Sequence, residues 1–438
     1  MSAHLDFTHD PAQRSWLADA GPEADFSLQN LPIAVFRRPG EGWRGGVALG
    51  SHIVDLAALA SRRELAGAAQ AAAAAAAQPT LNAYFALGLR SWRALRQALF
   101  ALAAAEAAPS KQEALRACLV PMAGAELGLP ARIGDYTDFY TSIHHALNVG
   151  RAVGLPNDGV TPNFRWLPIA YHGRASSVVP SGTAFHRPLG HMPGPDGRPV
   201  HGACARLDYE LEMGFFVGPG NAQGRRIAAD DADEHIAGFV LLNDWSARDI
   251  QFWEMAPLGP FNGKNFCTSI SPWVVSLDAL APYRLPFARA AGEPEPLPYL
   301  DGPAVRAAAA LDVGLEVHLH TAAQRARGAA PARLSRTNFC HQYWTPAQML
   351  AQHTVGGCNL APGDLLGTGT ISGPGADEAG AIIELTKAGR EPLLLPGGET
   401  RRFLEDGDTV ILSARCEREG AARVGFGDCR GTVLPAVL

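Results

Sequence analysis

The stretch Leu207-Asp208-Tyr209-Glu210-Leu211-Glu212-Met213-Gly214-Phe215-Phe216-Val217 decides how the chain is read. As a β-strand it alternates its side chains between two faces, so Asp208, Glu210 and Glu212 share one face and Tyr209, Leu211 and Met213 the other. An edge strand with its acidic face in water is the common outcome of such a pattern. The downstream residues weaken that outcome. The carboxylate face continues into Gly214 and Phe216, while Phe215 and Val217 keep the other face apolar, as in a strand covered on both sides. Carboxylates that enter a covered sheet need neutralising, because an unpaired buried charge is prohibitively costly. A cation held by Glu210 and Glu212 would do so.

A second acidic cluster, Asn243-Asp244-Trp245-Ser246-Ala247-Arg248-Asp249, follows the apolar run 236–242, which reads as another buried strand. Asp244 falls where that strand ends, a position where sites tend to form. Ser246 with Asp249 three residues later resembles a helix start, and Arg248 and Gln251 then lie one turn apart on one face. Oxygen donors without sulfur or imidazole suit a hard divalent ion, Mg²⁺ or Ca²⁺ or else Mn²⁺, rather than Zn²⁺.

Bulk properties narrow the function classes. A chain of 438 residues suggests two or three domains, and a hydrophobic share of 47% with 18% charged residues is ordinary for a globular protein. A net charge of −6 argues against a nucleic-acid or anionic-membrane surface and leaves small molecules as the expected partners. The 7 cysteines are odd in number, scattered and never spaced Cys-x-x-Cys, which points to a reducing cytoplasm rather than a disulfide framework or a thiolate zinc site. Residues 1–10 lack the apolar core of a targeting peptide, and no clean apolar run is long enough to span a membrane.

Along the chain, residues 33–37, 47–49 and 52–56 read as short strands of a small β unit. Residues 65–106 turn alanine-rich and helical, with a break near Gln78-Pro79 and a stripe of Leu87, Trp92, Leu95, Leu99 and Leu102. The prolines at 109, 121 and 130 place a domain boundary between 120 and 131, giving domains of 1–125 and 126–438. In Asp135-Tyr136-Thr137-Asp138-Phe139-Tyr140-Thr141-Ser142-Ile143-His144-His145-Ala146-Leu147-Asn148, a continuous helix would put Asp138 and His145 on one face about 10 Å apart along its axis. Neighbouring histidines diverge, so at most one of His144 and His145 enters a site. A helix is expected over 245–255, a strand over 272–277, and a helix capped by Thr345 from Pro346 to about His353. Gly263-Lys264 is not a phosphate loop, and the glycines of 367–373 do not fit a dinucleotide fingerprint. Gly-x-Ser-x-Gly and His-Glu-x-x-His motifs are absent, so neither the nucleophile-elbow hydrolases nor the zincins apply.

In residues 135–145, 171–177, 207–220, 243–251, 257–264 and 369–374, the chain resembles the fumarylacetoacetase family, and the likeness extends from about 133 to 385. The resemblance implies a mainly β (α+β) fold, with a small SH3-like N-terminal β domain carrying helical segments and a large C-terminal domain of mixed β-sheet rolls. It also implies a homodimer that hydrolyses a carbon–carbon bond of 4-fumarylacetoacetate to fumarate and acetoacetate, at the end of tyrosine and phenylalanine breakdown. By motif, Asp138, Glu210, Glu212 and Asp244 match the metal ligands, and His145 matches the water-activating base with Glu384 orienting it. Arg248, Gln251 and Lys264 match polar groups around the reacting carbonyl, and Tyr140, Tyr171 and Thr370 match substrate contacts. Three positions depart from the family pattern: Gly154 in place of an arginine, Met255 in place of a tyrosine and Cys267 in place of a glycine. Arg151, one turn before Gly154, is the expected substitute cation for an acid end of the substrate.

The chemistry is coherent with these residue types. Splitting a β-diketone with water takes a base for the water, donors for a tetrahedral oxyanion and stabilisation of a departing enolate. A histidine can take the water's proton and return it to the carbanion. An acylpyruvate hydrolase or oxaloacetate decarboxylase on the same fold is the nearer alternative, and a non-catalytic metal-stabilised binding protein the more distant one.

Overall fold

A computed structural model describes residues 5–437, so the expectation for residues 1–10 lies outside the described residues over its first four positions. Ile33–Arg37, Arg44–Leu49 and His52–Asp55 form an antiparallel meander, extended at its edges by Leu119–Pro121 and Glu126–Leu127. The alanine run has a packing role here. Helix Gly67–Ala76 buries Ala69, Ala72, Ala73 and Ala76, and it comes so close to the sheet that a Cβ on Gly45 would stand 2.2 Å from the carbonyl oxygen of Ala76. The helix stops at the expected break, and Leu89–Ala103 buries Trp92, Leu95, Leu99 and Leu102. Leu87 lies before that helix and is exposed.

The larger sheet runs Ile169–Gly173, Tyr136–Tyr140, Leu365–Gly367, Leu211–Val217, Ile236–Asp244, Thr268–Ile270 and Val178–Pro180. Leu211–Val217 lies at its centre, antiparallel to both neighbours, with every residue buried. One face, through Met213, Phe215 and Val217, joins the core shared with a second five-stranded sheet. The other meets the N-terminal helices, where Phe216 stacks on Phe85 with ring centroids 5.5 Å apart. Charges at the end of this strand therefore enter an interior.

Several local expectations are corrected. Residues 135–148 are not one helix: Tyr136–Tyr140, rich in aromatic and β-branched residues, pairs as a strand with Ile169–Gly173 and Leu365–Gly367. The helix is Ile143–Val153, capped by the Ser142 hydroxyl, which accepts from the His145 N–H at 3.2 Å, and it ends at Gly154 with φ of 74°. The 207–217 stretch is also interrupted. Leu207–Asp208 pairs with Ser246–Ala247, and the strand resumes at Leu211 after Tyr209 and Glu210. Pairing of Ser246 and Ala247 delays the expected helix to Arg248–Glu254, and the Ser246 hydroxyl donates to the Asp244 carbonyl instead of capping. The 272–277 strand is reduced to bridges at Val274 and Val275. The helix Pro346–Thr354 has the expected Thr345 cap, reciprocated by Gln348. Among the described residues, no helix is long and apolar enough to cross a membrane.

Candidate active site

Three strands deliver three carboxylates to one point: Asp138 from Tyr136–Tyr140, Glu212 from Leu211–Val217, and Asp244 from the end of Ile236–Asp244. One oxygen from each lies within 4.8 Å of the others, and all three side chains are buried. Gly367 makes room for them, since a Cβ there would stand 2.6 Å from Asp138 Oδ1 and 3.1 Å from Glu212 Oε2. The Gly369 N–H donates to both oxygens, at 3.2 Å and 3.0 Å. Burial, then the charge of Asp244, holds the Asp138 carboxyl well above its usual range, and burial followed by Asp138 and Asp244 does the same to Glu212. Glu212 Oε1 is buried with no hydrogen-bond partner. Crowded hard oxygens, with one lone pair set uncommitted, fit a divalent cation, and Asp138, Glu212 and Asp244 could hold it.

Glu210, the fourth expected ligand, meets two cations of the protein. Its Oε1 accepts from Arg248 at 2.8 Å, and its Oε2 from Lys264. Burial alone would raise its carboxyl, but Lys264, Arg248 and His145 together hold it well below the usual range. The Lys264 ammonium also reaches Asp244 Oδ2 at 2.5 Å, bridging the two acidic groups. Tyr171, expected at the substrate, donates to the same Asp244 oxygen at 2.6 Å, and Thr268 donates to Asp244 Oδ1 at 3.4 Å.

Beside this cluster, His145 Nδ1 meets Glu384 Oε1 at 2.7 Å, while its Nε2 lies 3.7 Å from Glu210 Oε1. A carboxylate on Nδ1 favours the tautomer that leaves Nε2 free to accept a proton. Glu384 is itself fixed by the Ser372 hydroxyl at 2.9 Å and the Asn148 amide at 2.8 Å. Sequence reasoning missed both, although Asn148 lies one helical turn beyond His145 and so shares its face. Tyr140 stands edge-on to His145, with centroids 5.5 Å apart. His144 turns away and faces His341 at 6.2 Å.

The remaining polar groups are divided. Arg248 donates to Asp208 at 2.9 Å and to Gln251 at 3.2 Å, leaving its Nη2 buried and without a partner; the Thr370 hydroxyl is buried and likewise without one. Both have hydrogen-bonding capacity that the described residues leave unused. Arg151 lies exposed in the last turn of the His145 helix. Met255 is exposed at the end of the helix bearing Gln251, and Cys267 is interior, its thiol pushed up by burial to about 12. Clefts of about 660 and 680 Å³ lie beside Leu89 and Arg93, away from these groups, and carry none of this chemistry.

Comparison with known proteins identifies the family. The family model "Fumarylacetoacetate (FAA) hydrolase C-terminal" matches residues 136–434, and "Fumarylacetoacetase N-terminal" matches 29–130. Fumarylacetoacetase of Oryza sativa subsp. japonica is 47% identical over 426 residues, covering 96% of this chain and 97% of its own. That of Homo sapiens is 46% identical over 432 residues, covering 95% and 98%. Among solved structures, a fumarylacetoacetate hydrolase from Exiguobacterium antarcticum aligns with a TM-score of 0.50 at 17% identity, over 92% of this chain and 99% of that one. A putative HpcE protein from Mycobacterium smegmatis aligns at 0.51 and 18%, over 92% and 99%; both are likenesses of fold. With both family models matched in order and relatives of this identity spanning nearly its whole length, the chain belongs to the fumarylacetoacetase family.

Proposed function

We propose that the protein hydrolyses the carbon–carbon bond of 4-fumarylacetoacetate to fumarate and acetoacetate, the last step of tyrosine and phenylalanine catabolism. The observation that carries this reading is the His145–Glu384 pair, held at 2.7 Å with its outer nitrogen 3.7 Å from buried Glu210, in a chain of this family. His145 Nε2 takes a proton from water, and the resulting hydroxide adds to the carbonyl that becomes a carboxylate of fumarate. Arg248 Nη2, Gln251 and Lys264 surround the oxyanion that forms. When the tetrahedral centre collapses, the carbon–carbon bond breaks, its electron pair leaves with the acetoacetate fragment as an enolate, and the imidazolium returns its proton to that carbon. Asp138, Glu212 and Asp244 would hold the divalent cation, with Glu210 as the adjoining candidate ligand; when bound, the ion supplies Lewis acidity for the enolate oxygen.

Tyr140, Tyr171 and Thr370 are assigned to substrate contact, and exposed Arg151 to an acid end of the substrate. The reading extends to two domains, 1–125 and 126–438, in a cytoplasmic homodimer using Mg²⁺ or Ca²⁺, with Mn²⁺ the alternative ion. Full-length relatives carrying the fumarylacetoacetase name do not favour the acylpyruvate hydrolase or oxaloacetate decarboxylase alternative. The decisive assay follows loss of fumarylacetoacetate absorbance before and after chelation. Turnover that chelator abolishes and added ion restores is expected; an inert protein sinks the reading.

A further inference from the structure

The mechanism above leaves unused a carboxylate buried beside the site. Asp208 is fully buried, and it is not part of the metal cluster. Its Oδ2 accepts from Arg248 Nε at 2.9 Å and from the Ile383 N–H at 3.2 Å; its Oδ1 accepts from the Ile382 N–H and from its own neighbour's N–H at Tyr209, both at 2.8 Å. Four donors on one carboxylate are near its full capacity.

The partners belong to two separate parts of the site. Ile382 and Ile383 open the short helix Ile382–Leu385, which carries Glu384. Its N-cap is Ala381, which has no side-chain acceptor, so the first amides of the helix have no local partner. Asp208 supplies it from another strand, and the adjoining backbone is drawn in as well: Glu210 bridges Ala381, and the Leu211 N–H donates to the Gly380 carbonyl at 2.9 Å. On its other side Asp208 orients Arg248, whose Nη1 reaches Glu210 and Gln251. The contacts close a ring: Asp208 to Arg248, Arg248 to Glu210, Glu210 toward His145, His145 to Glu384, and through the helix start back to Asp208.

We infer that Asp208 is a positioning residue that sets the distance between the base and the oxyanion cation, by holding the Glu384 turn and the Arg248 guanidinium on one carboxylate. This rests on the roles proposed for His145 and Arg248. A displacement of about 1 Å between reacting groups can cost on the order of 100-fold in rate, whereas binding of remote parts of the substrate is indifferent to it. A residue that only held the fold would show its loss in stability and in the amount of active protein instead.

Asp208→Asn tests this, because an amide nitrogen cannot accept and in either orientation leaves two of the four donors, at least one of them on the helix start, without an acceptor. Per metal-loaded chain, kcat is expected to fall by about 30-fold or more with KM within about threefold, and with one ion per chain retained. A kcat within about threefold of wild type, or a loss explained by missing ion or unfolded protein, overturns the inference. A second measurement needs no Asp208 variant: in Arg248→Lys, hydrogen exchange at Ile382 and Ile383 should quicken by about tenfold as Asp208 loses one of its anchors. Unchanged exchange there overturns it too. Failure of the wild-type enzyme to turn over fumarylacetoacetate would instead defeat the function, and the exchange result does not depend on turnover.

Discussion

Glu210 and Glu212 stand two residues apart and are both buried, yet their surroundings oppose each other. Glu210 is gripped by Arg248 and Lys264, which hold its carboxyl down against burial. Glu212 touches no cation among the described residues and takes the Gly369 N–H on one oxygen, so burial and the neighbouring Asp138 and Asp244 push it up. The site thus has a compensated half, finished by the protein's own cations, and a deficient half, which a cation from solution would complete. Burial alone does not determine the state of an acid; the count of cations facing it does.

The largest expected effect lies on the compensated half. His145→Ala should lower kcat by about 10² to 10⁴ with ion content intact, because the base goes while the carboxylates remain. His144→Ala, whose ring faces His341, should cost far less. Parallel losses in the two variants would mean that the histidine facing the cluster is not the base.

How far this contrast could be read in the sequence depends on range. The covered strand was legible, because its apolar residues continue on both faces, and so was the Thr345 cap, because a cap is a matter of a few adjacent residues. The division of labour between Glu210 and Glu212 was not. It depends on the interruption at Tyr209 and Glu210, where Leu207–Asp208 leaves for Ser246–Ala247, and on the arrival of Lys264 from 54 residues away. Likewise the strand within 135–148, where the sequence is weighed only as a continuous helix, is decided by partners at Ile169–Gly173 and Leu365–Gly367. Glu384 entered only through the family resemblance, although one acid inside Ala381-Ile382-Ile383-Glu384-Leu385 is itself a local sign of a buried charge.

Exchanging the two glutamates for glutamine breaks or sharpens the comparison directly. Glu212→Gln should cost more ion affinity than Glu210→Gln, for which a drop of about 10- to 100-fold is expected of a group beside the ligands. Stability should move the other way without ion. Glu210→Gln takes one of two carboxylates from each of Arg248 and Lys264, which keep Asp208 and Asp244, and should cost about 1–3 kcal/mol, whereas Glu212→Gln relieves crowding among three carboxylates and should raise the Tm. Ion titration calorimetry and thermal unfolding read both. Equal loss of ion in the two variants would make Glu210 a ligand of the same rank and remove the distinction.

The smallest effect is in the pH dependence of stability, where the two halves carry opposite signs. Asp138 and Glu212 have folded pKa values above their ordinary 3.8 and 4.5, so above that range the ion-free folded state binds more protons than the unfolded chain. Stability then falls as pH rises, since the unfolded state gives up protons that the folded site retains. Glu210 works the other way: its folded pKa is depressed, so its contribution is present above 4.5 and is lost as pH falls through the depressed value. The ion-free protein should therefore lose a few degrees of Tm between about pH 5 and 8, while the ion-saturated protein stays level or gains, because the ion displaces the protons from Asp138 and Glu212. Glu212→Gln should flatten the ion-free slope, and Glu210→Gln should leave that slope in place while removing the loss at acid pH. An ion-free protein whose Tm rises across this interval would show that Asp138 and Glu212 are not the uncompensated half.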